Sequence, residues 1–373
     1  MATVRLRRVS RAAIDFLHST HAAQRIDDIV GTQSGAICQG HSSADHSRSK
    51  RSGKNPTKKA VFLACLFFLA ISPFKPSSAQ SLPKTLGERL GFPRDAKLVI
   101  IHADDVGVTH SVNSATIEAL ETGLVNSASI MVPCPWFPEI ADYAKSHSSI
   151  DFGLHLTLTS ERVYYRWGPV ASRDLVPSLL DSDGYLLKDW PPSTRIYPQQ
   201  AQIELRAQIE RAYAMGVRPT HLDSHQYRLY QNGEQLFRVA LRLAHEYKLP
   251  LFVTRDWFAE NPYLESSLGP DDVIIDHTIT MSPNVPAEKW DAFYVDSLKN
   301  LQPGVTEFVI HLAFADSEMK AATRERDTWG AAWRQRDFDF FTSSAFRKLL
   351  QDQQIHLTTW RQIAQAAHEL PTP

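Results

Sequence analysis

From residue 82 onward the sequence alternates short apolar runs with segments whose apolar residues recur at helical spacing. The runs predict strands at 98–103, 127–132, 150–156, 219–225, 251–254, 273–276, 306–312 and 356–358. The intervening segments predict helices at 112–122, 199–215, 235–247, 287–300, 343–353 and 361–369. Alternating strands and helices are typical of a parallel sheet with right-handed crossovers. This many units predict an α/β fold, namely a closed or nearly closed, TIM-barrel-like β/α barrel that forms a single catalytic domain.

Two long stretches, 161–198 and 315–341, break this alternation and lack a clear period. Loops of that length in a compact domain are usually lids or binding loops. The second contains a Trp- and Arg-rich segment at 328–337. Aromatic faces suit sugar rings and arginines suit anionic groups, so the segment is compatible with binding an acidic glycan. A packed lid explains the same residues equally well.

The first eighty residues differ in composition from the rest. Residues 1–57 are polar and basic with little apolar periodicity, which predicts either disorder or a true translation start farther downstream. At 58–79 two lysines precede about a dozen apolar residues and then small residues, which is typical of a secretory signal peptide. A membrane-tethering or core helix is the alternative interpretation. We therefore expect export to the periplasm or the outside, a linker at 80–94 and a catalytic domain at 95–370.

Composition narrows the function further. Among 373 residues the formal net charge is −1 and 43% are hydrophobic, which provides for a sizeable core and indicates no nucleic-acid partner. Of the three cysteines only Cys134 lies after residue 79, so we expect no intrachain disulfide in the mature chain. After signal cleavage we expect no stable membrane insertion. The sequence is compatible with a homo-oligomer but does not determine the oligomeric state.

Acidic residues end the first predicted strand. Asp104 and Asp105 follow the aliphatic run at 98–103, at the strand end where α/β folds place their chemistry. Adjacent strand residues point to opposite sides, so the two acids need not share one role. For an isolated pair, helix capping and solvation would be the simpler explanation.

Histidines lie at comparable points of three later strands. His155 is on the polar face of an alternating strand, and His311 interrupts the apolar run at 306–312. In the strand at 219–225, His221, Asp223 and His225 share one face, which offers two imidazoles and a carboxylate that can orient a ligating ring. Each histidine alone is compatible with a structural role. Because barrel enzymes gather their active sites at strand carboxyl ends, we expect these side chains to converge.

An aspartate with two histidines is a ligand set that leaves coordination positions open for water and substrate. A metal in such a site polarises a carbonyl group and lowers the pKa of bound water. A further carboxylate can serve as general base, and an imidazole can protonate a leaving amine. These groups together suit the hydrolysis of an amide or an ester.

The sequence resembles the YdjC/ChbG-type carbohydrate deacetylases, a polysaccharide deacetylase-like family, over roughly residues 95 to 365. Four motifs carry the resemblance in order: Ala103-Asp-Asp-Val-Gly107, Gly123-Leu-Val-Asn-Ser127, Gly153-Leu-His-Leu-Thr-Leu-Thr159 and Pro219-Thr-His-Leu-Asp-Ser-His225. The resemblance implies a distorted β/α barrel, one divalent metal ion and the removal of acetyl groups from N-acetylated sugars. Family members often have Asn where this chain has His102, and Pro-Gly where it has Leu312-Ala313.

The resemblance also implies roles for individual residues. Asp105, His155 and His225 would bind the metal, and Asp104 would be the catalytic base. His311 occupies the place of a late-strand histidine that could serve as general acid. His221 and Asp223 would lie behind the ligands and orient them.

Three functional readings follow from the sequence. The first is an exported, metal-dependent hydrolase that deacetylates an N-acetylated sugar or oligosaccharide. The second is a metal-dependent phosphoesterase, although no glycine-rich phosphate loop is evident. The third is a non-catalytic carbohydrate-binding protein of the same fold. Two imidazole ligands favour Zn²⁺ or another transition metal, whereas the family resemblance also allows Mg²⁺.

Overall fold

The computed structural model describes residues 84–191, 193–231 and 233–368. The expected extension at 1–57 and the expected signal peptide at 58–79 lie outside the described residues. Within the expected linker at 80–94, Leu86–Arg89 form a short helix that begins with a capping box at Thr85. No helix in the described part of the chain has the length and apolar character needed to cross a membrane.

A single parallel sheet of seven strands forms the centre of the fold. The strands are β1 (Lys97–Val106), β2 (Ser127–Ile130), β3 (Phe152–Leu156), β4 (Leu222–Ser224), β5 (His277–Thr280), β6 (Gly304–His311) and β7 (Ile355–Leu357). Their order is β4-β3-β2-β1-β6-β5, and β7 pairs in parallel with residues 97–99 of β1. Every strand pair in the described residues is parallel.

The segment 251–254 joins the two ends of this sheet. Leu222 of β4 forms an isolated parallel bridge with Leu251, and Thr254 forms another with Ile275 just before β5. The ring therefore closes through single bridges between β4 and β5, whereas long ladders hold the other side, such as the eight-residue register of β1 with β6. The expected α/β fold, a distorted β/α barrel, is confirmed.

Helices surround the barrel. They are α1 (Leu86–Arg89), α2 (His110–Glu121), α3 (Phe137–Ser146), α4 (Pro198–Ala214), α5 (Arg228–Gln231), α6 (Glu234–Tyr247), α7 (Pro262–Ser267), α8 (Trp290–Lys299), α9 (Ser317–Ala322), α10 (Ala331–Phe341), α11 (Ser344–Asp352) and α12 (Trp360–His368). Single 3₁₀ turns occur at Arg173–Leu175, Pro177–Leu179, His225–Tyr227, Arg255–Trp257 and Ala287–Lys289. All six predicted helices are present, and the stretch 315–341, predicted to be irregular, contains α9 and α10.

The barrel interior changes character along its axis. Side chains alternate along β1, so Leu98, Ile100, His102 and Asp104 fall on one face. The first two belong to an apolar cluster with Phe252, Ile275, Val305 and Trp360, whereas the next two meet polar side chains. The apolar end is packed shut, so polar groups collect at the carboxyl ends of the strands, where the site lies.

Candidate metal centre

Asp104 and Asp105 reach the same site although they are neighbours on one strand. The pairing of β1 with β2 shifts register between Ala103 and Val106, and Asp105 has a φ of 69°. A bulge of this kind adds a residue to one strand and redirects the side chains next to it. Asp104 Oδ2 and Asp105 Oδ1 therefore lie 3.7 and 3.5 Å from the same atom, His155 Nε2. The alternation expected from an ideal strand does not hold at this pair.

Three predicted ligand residues meet at one point. Asp105 Oδ1 lies 3.1 Å from His225 Nδ1 and 3.5 Å from His155 Nε2, and all three side chains are buried. An ion with bonds of about 2.1 Å to each ligand requires ligand atoms roughly 3.0–3.4 Å apart, from simple geometry. Asp105, His155 and His225 therefore have the spacing of a three-residue metal site.

A carboxylate lies behind each of the two imidazoles. His155 Nδ1 is 2.8 Å from Asp223 Oδ1, and His225 Nε2 is 3.0 Å from Glu161 Oε2. Because an ionised carboxylate only accepts hydrogen bonds, these ring nitrogens donate, and the opposite nitrogens, which face Asp105, are the ones that a metal would bind. This arrangement fixes the tautomer of a ligating histidine and raises its basicity. Asp223 holds the position that the resemblance implies, whereas Glu161 was not identified from the sequence.

His221 lies one step farther from the centre. Its Nδ1 is 3.0 Å from Thr220 Oγ1, and its ring packs at 4.9 Å on Trp360 and at 5.1 Å on His102. No hydrogen bond joins it to the three candidate ligands within the described residues. The ring of His221 also requires glycine at position 153 of β3, since a Cβ there would lie 2.3 Å from His221 Nε2.

His102, which the sequence analysis treated only as a departure from the family, is part of the site. Its Nε2 lies 3.1 Å from Asp223 Oδ2 and 3.3 Å from Asp104 Oδ1, and Ser127 Oγ is 2.9 Å from its Nδ1. Burial acts to lower the pKa of His102, but the negative charges around it raise that pKa well above its usual value. A protonated His102 therefore links the carboxylates of Asp104 and Asp223.

Asp104 and His311 form the side of the site nearest the solvent. Asp104 is 9% exposed, and the His311 side chain, at 16%, is more exposed than the three candidate ligands. His311 Nε2 lies 3.9 Å from Asp104 Oδ2 and 4.0 Å from Asp105 Oδ2. Burial lowers the pKa of His311 to about 4, so this imidazole is neutral at pH 7.

Helix α10 supports the site with two residues that lie one turn apart. Arg334 Nη2 donates to Asp105 Oδ2, and Asp337 Oδ2 accepts from the backbone N–H of His311 at 3.0 Å. Arg334 is 1% exposed, and its Nη1 has no hydrogen-bond partner. Burial acts to raise the pKa of Asp105, but the positive charges of Arg334 and His225 hold it well below its usual value. Through Arg334 and Asp337, the segment 328–337 packs against the site and holds Asp105 and His311 in position.

Left-handed backbone conformations concentrate around the same residues. Besides Asp105, positive φ occurs at Gln226 and Tyr227, which follow His225, and at Trp329, whose ring lies 6.2 Å from that of His311. Non-glycine residues adopt this region at an energetic cost, and such residues cluster at functional sites. Four of the six positive-φ residues other than glycine in the described chain therefore belong to the site or its immediate neighbours.

The sequence is similar to those of known proteins. A family model described as YdjC-like protein matches residues 98–352. A carbohydrate deacetylase of Thermus thermophilus is 31% identical over 290 residues, covering 75% of this chain and 98% of the relative. The carbohydrate deacetylase of Thermoanaerobacter pseudethanolicus is 29% identical over 224 residues, covering 60% and 84%.

A solved structure shows the same fold. A crystal structure from Enterococcus faecalis, of a protein described as a candidate cellobiose-phosphate cleavage protein, superposes with a TM-score of 0.60 at 28% identity. The match covers 71% of this chain and 98% of the other. The family model spans more than half of the sequence, and it includes every predicted site residue. The chain therefore belongs to the YdjC-like protein family.

Proposed function

We propose that this protein is a metal-dependent hydrolase that removes acetyl groups from N-acetylated sugars or oligosaccharides. The observation that carries the proposal is the meeting of Asp105, His155 and His225 at one point, with Asp104 and His311 beside them on the solvent side. The related proteins of Thermus and Thermoanaerobacter are named carbohydrate deacetylases, which supports an acetylated sugar as the substrate.

The donor set fits a divalent cation. Asp105 Oδ1 is buried and has no hydrogen-bond partner, although two imidazole nitrogens face it. A buried carboxylate oxygen that accepts no hydrogen bond is costly unless a cation compensates it. Two nitrogen donors and one oxygen donor suit Zn²⁺ or another transition metal better than Mg²⁺. When bound, the metal would polarise the acetyl carbonyl and activate water for attack.

Asp104 is positioned to take the proton of the attacking water. Its Oδ1 lies 3.3 Å from His102 Nε2 and accepts a hydrogen bond from Ser129 Oγ at 3.4 Å, whereas its Oδ2 faces His311. One oxygen is therefore held by the protein, and the other is available to substrate.

His311 is positioned to handle the proton that the leaving amine needs. At neutral pH the imidazole is unprotonated, so it enters the reaction as an acceptor. The proton that Asp104 Oδ2 receives from water can return to the amine either directly or through His311 Nε2, which is 3.9 Å away. No net proton is gained or lost, because the water supplies one oxygen of acetate and the two protons that the nitrogen gains as it leaves as an ammonium group.

Purified protein and a panel of acetylated glycans test this proposal. Treatment with a chelator should stop acetate release, and added Zn²⁺ or another divalent metal should restore it. Acetate release that continues unchanged in metal-free protein would refute the metal role. Turnover of aryl phosphates without acetate release would identify a phosphoesterase instead, and sugar binding without any turnover would identify a binding protein.

We also propose that the chain is exported. Two lysines followed by an apolar run at 58–79 support a signal peptide. Cell fractionation tests it: the mature protein should be found outside the cytoplasm with its amino terminus near residue 80. A mature chain that keeps the residues before Lys54 would refute both this proposal and the late translation start.

A further inference from the structure

A second cavity lies beside the candidate metal centre, between helices α8, α9 and α10. Its volume is about 640 Å³. Trp290 and Trp333, each 5% exposed, contribute its aromatic surface. Four basic side chains also line it: Lys320, Arg324, Arg326 and Arg336. We propose that this cavity binds the anionic group of an acidic carbohydrate whose acetyl group reaches the metal centre, an inference that rests on the proposed function.

The positive charge of the cavity is not balanced by the protein. Asp327 is the single acidic residue among the lining residues. Within the described part of the chain, none of the four basic side chains forms an ion pair with a carboxylate, whereas half-buried Arg206 and exposed Arg238 and Lys348 all do. Unpaired cations that share a concave surface raise the local concentration of anions. The charge of the cavity lining therefore favours the binding of an anion.

Aromatic rings hold three of these charges in place. The guanidinium carbon of Arg336 lies 5.0 Å from the Trp290 ring, and that of Arg326 lies 6.0 Å from the Trp329 ring. Arg324 lies 4.3 Å from the ring of Tyr164, which comes from the other long loop. Such stacking restricts a guanidinium and leaves its N–H groups free to donate. The guanidinium groups are therefore prepared to bind an oxyanion.

Trp329 lies between the cavity and the metal centre. Its neighbour Thr328 lines the cavity, its ring packs at 5.7 Å on Trp333, and the same ring lies 6.2 Å from His311. Its φ of 52° is unusual for a bulky residue. A Cβ on the next residue, Gly330, would lie 2.4 Å from the carbonyl oxygen of Arg326, so this tight turn requires glycine. The ring of Trp329 thus lies between Trp333 at the cavity and His311 at the metal centre.

The chemistry of the cavity selects the class of ligand. A sugar ring can pack its apolar face on an indole, and carboxylate, sulfate or phosphate can accept paired hydrogen bonds from a guanidinium. A neutral acetylated oligosaccharide would gain nothing from four unpaired cations. The shared requirement is therefore an oxyanion carried on a sugar that lies within reach of the metal centre.

Kinetics of the full-length, metal-loaded protein test the proposal. The variant R324Q/R336Q removes two of the four charges, and R238Q/R242Q on α6 is the control with the same change of charge. The substrates are neutral N-acetylglucosamine oligomers, N-acetylmuramic acid, and the 6-sulfate and 6-phosphate of N-acetylglucosamine. In the wild type, kcat/KM should be higher for at least one anionic substrate than for the neutral one. In R324Q/R336Q that ratio should fall about tenfold or more, mainly through KM.

Other outcomes separate this proposal from the proposed function. A wild-type preference for the neutral substrate, an unchanged ratio in R324Q/R336Q, or an equal fall in the control would overturn the cavity's role. If no substrate releases acetate, the proposed function fails. Calorimetric titration with the same anionic sugars then tests whether the cavity binds anions. Binding that R324Q/R336Q loses and the control keeps would support the anion site alone, and no binding by the wild type would refute it.

Discussion

The carboxylate behind His225 offers a sharp test of the metal centre. The variant Glu161→Gln keeps the size of the side chain and its position 3.0 Å from His225 Nε2, but it removes the negative charge. Glu161 is ionised. Burial acts to raise its pKa, but the nearby positive charge of His225 lowers that pKa to about 2. The substitution therefore removes a charge that is present at every pH at which the protein would be assayed.

The expected magnitude follows from the proton affinity of the same ring. Burial acts to lower the pKa of His225, but the charges of Glu161 and Asp105 raise it to about 9. Relative to the usual 6.5, that net increase corresponds to about 3 kcal/mol, and the two carboxylates contribute at least this much because burial opposes them. A metal at Nδ1 replaces a proton there, so we expect Glu161→Gln to weaken metal binding by about 10- to 100-fold.

The effect should depend on pH in a defined direction. In the wild type a proton competes with the metal at His225 until the pH passes about 9, so apparent metal affinity rises from pH 6.5 to 8.5. The variant loses much of this competition, because its imidazole gives up the proton at lower pH. The loss of affinity in Glu161→Gln is therefore larger at pH 8.5 than at pH 6.5.

Competition with a chromophoric chelator measures both affinities. Glu204→Gln is the matched control, because Glu204 is also buried but binds backbone N–H groups and Gln208 instead of a ligating ring. If Glu161→Gln binds metal like the wild type at pH 8.5, or if Glu204→Gln weakens binding as much, then Glu161 does not orient a metal ligand.

Three further predictions concern other residues of the barrel interior. Asp104→Asn should keep the metal but lower the rate of acetate release by about 10²- to 10⁴-fold, so retained activity would exclude a general base there. Arg334→Met removes a positive charge beside Asp105, so it should raise the pKa of Asp105 and strengthen the binding of a divalent metal about tenfold, which calorimetry would detect. Burial raises the pKa of Glu307 from 4.5 to about 8, so this residue's contribution to stability is present below pH 4.5 and lost as the pH rises through 8. Glu307→Gln should therefore be the more stable protein at pH 9, by up to roughly 5 kcal/mol in urea unfolding, and an unaltered pH dependence would contradict this.

The sequence predicted the barrel well because apolar runs of a parallel sheet are buried on both faces. The strand at 98–103 was found for that reason, and it extends in the structure to Val106. The strand at 219–225 is shorter than predicted, because His225 begins a 3₁₀ turn in which Gln226 and Tyr227 are left-handed. The segment 251–254 contributes only isolated bridges, and the next strand is His277–Thr280 instead of 273–276.

Helix α10 shows why the second long stretch was not recognised. It buries Trp333, Phe338 and Phe341, but it also buries Arg334 and Asp337, which hold the site. A helix that directs charged residues toward the interior lacks a continuous apolar stripe, so periodicity cannot identify it. The charged residues that concealed the helix are those that give it its role in the site.

Convergence of the site was predictable, and so was Asp223 behind a histidine, but the contacts of Glu161 and Arg334 were not. His155, His225 and His311 meet because the carboxyl ends of parallel strands share one end of the barrel. Glu161 lies on an irregular loop, and its partnership with His225 joins positions 64 residues apart. No local pattern encodes such a contact. Asp104 and Asp105 likewise both point into the site because of a bulge, which the ideal alternation of a strand does not predict.

The carboxyl-terminal residues of the barrel set a limit on how this protein can be shortened. The YdjC-like match ends at residue 352, yet Trp360, eight positions later, is fully buried at the closed end of the barrel. Its Nε1 donates to Glu307 at 2.7 Å, and its ring stacks on His221. A fragment trimmed to the family boundary would admit water beneath the buried histidines and carboxylates. Expression fragments, domain fusions and affinity tags should therefore preserve α12 intact.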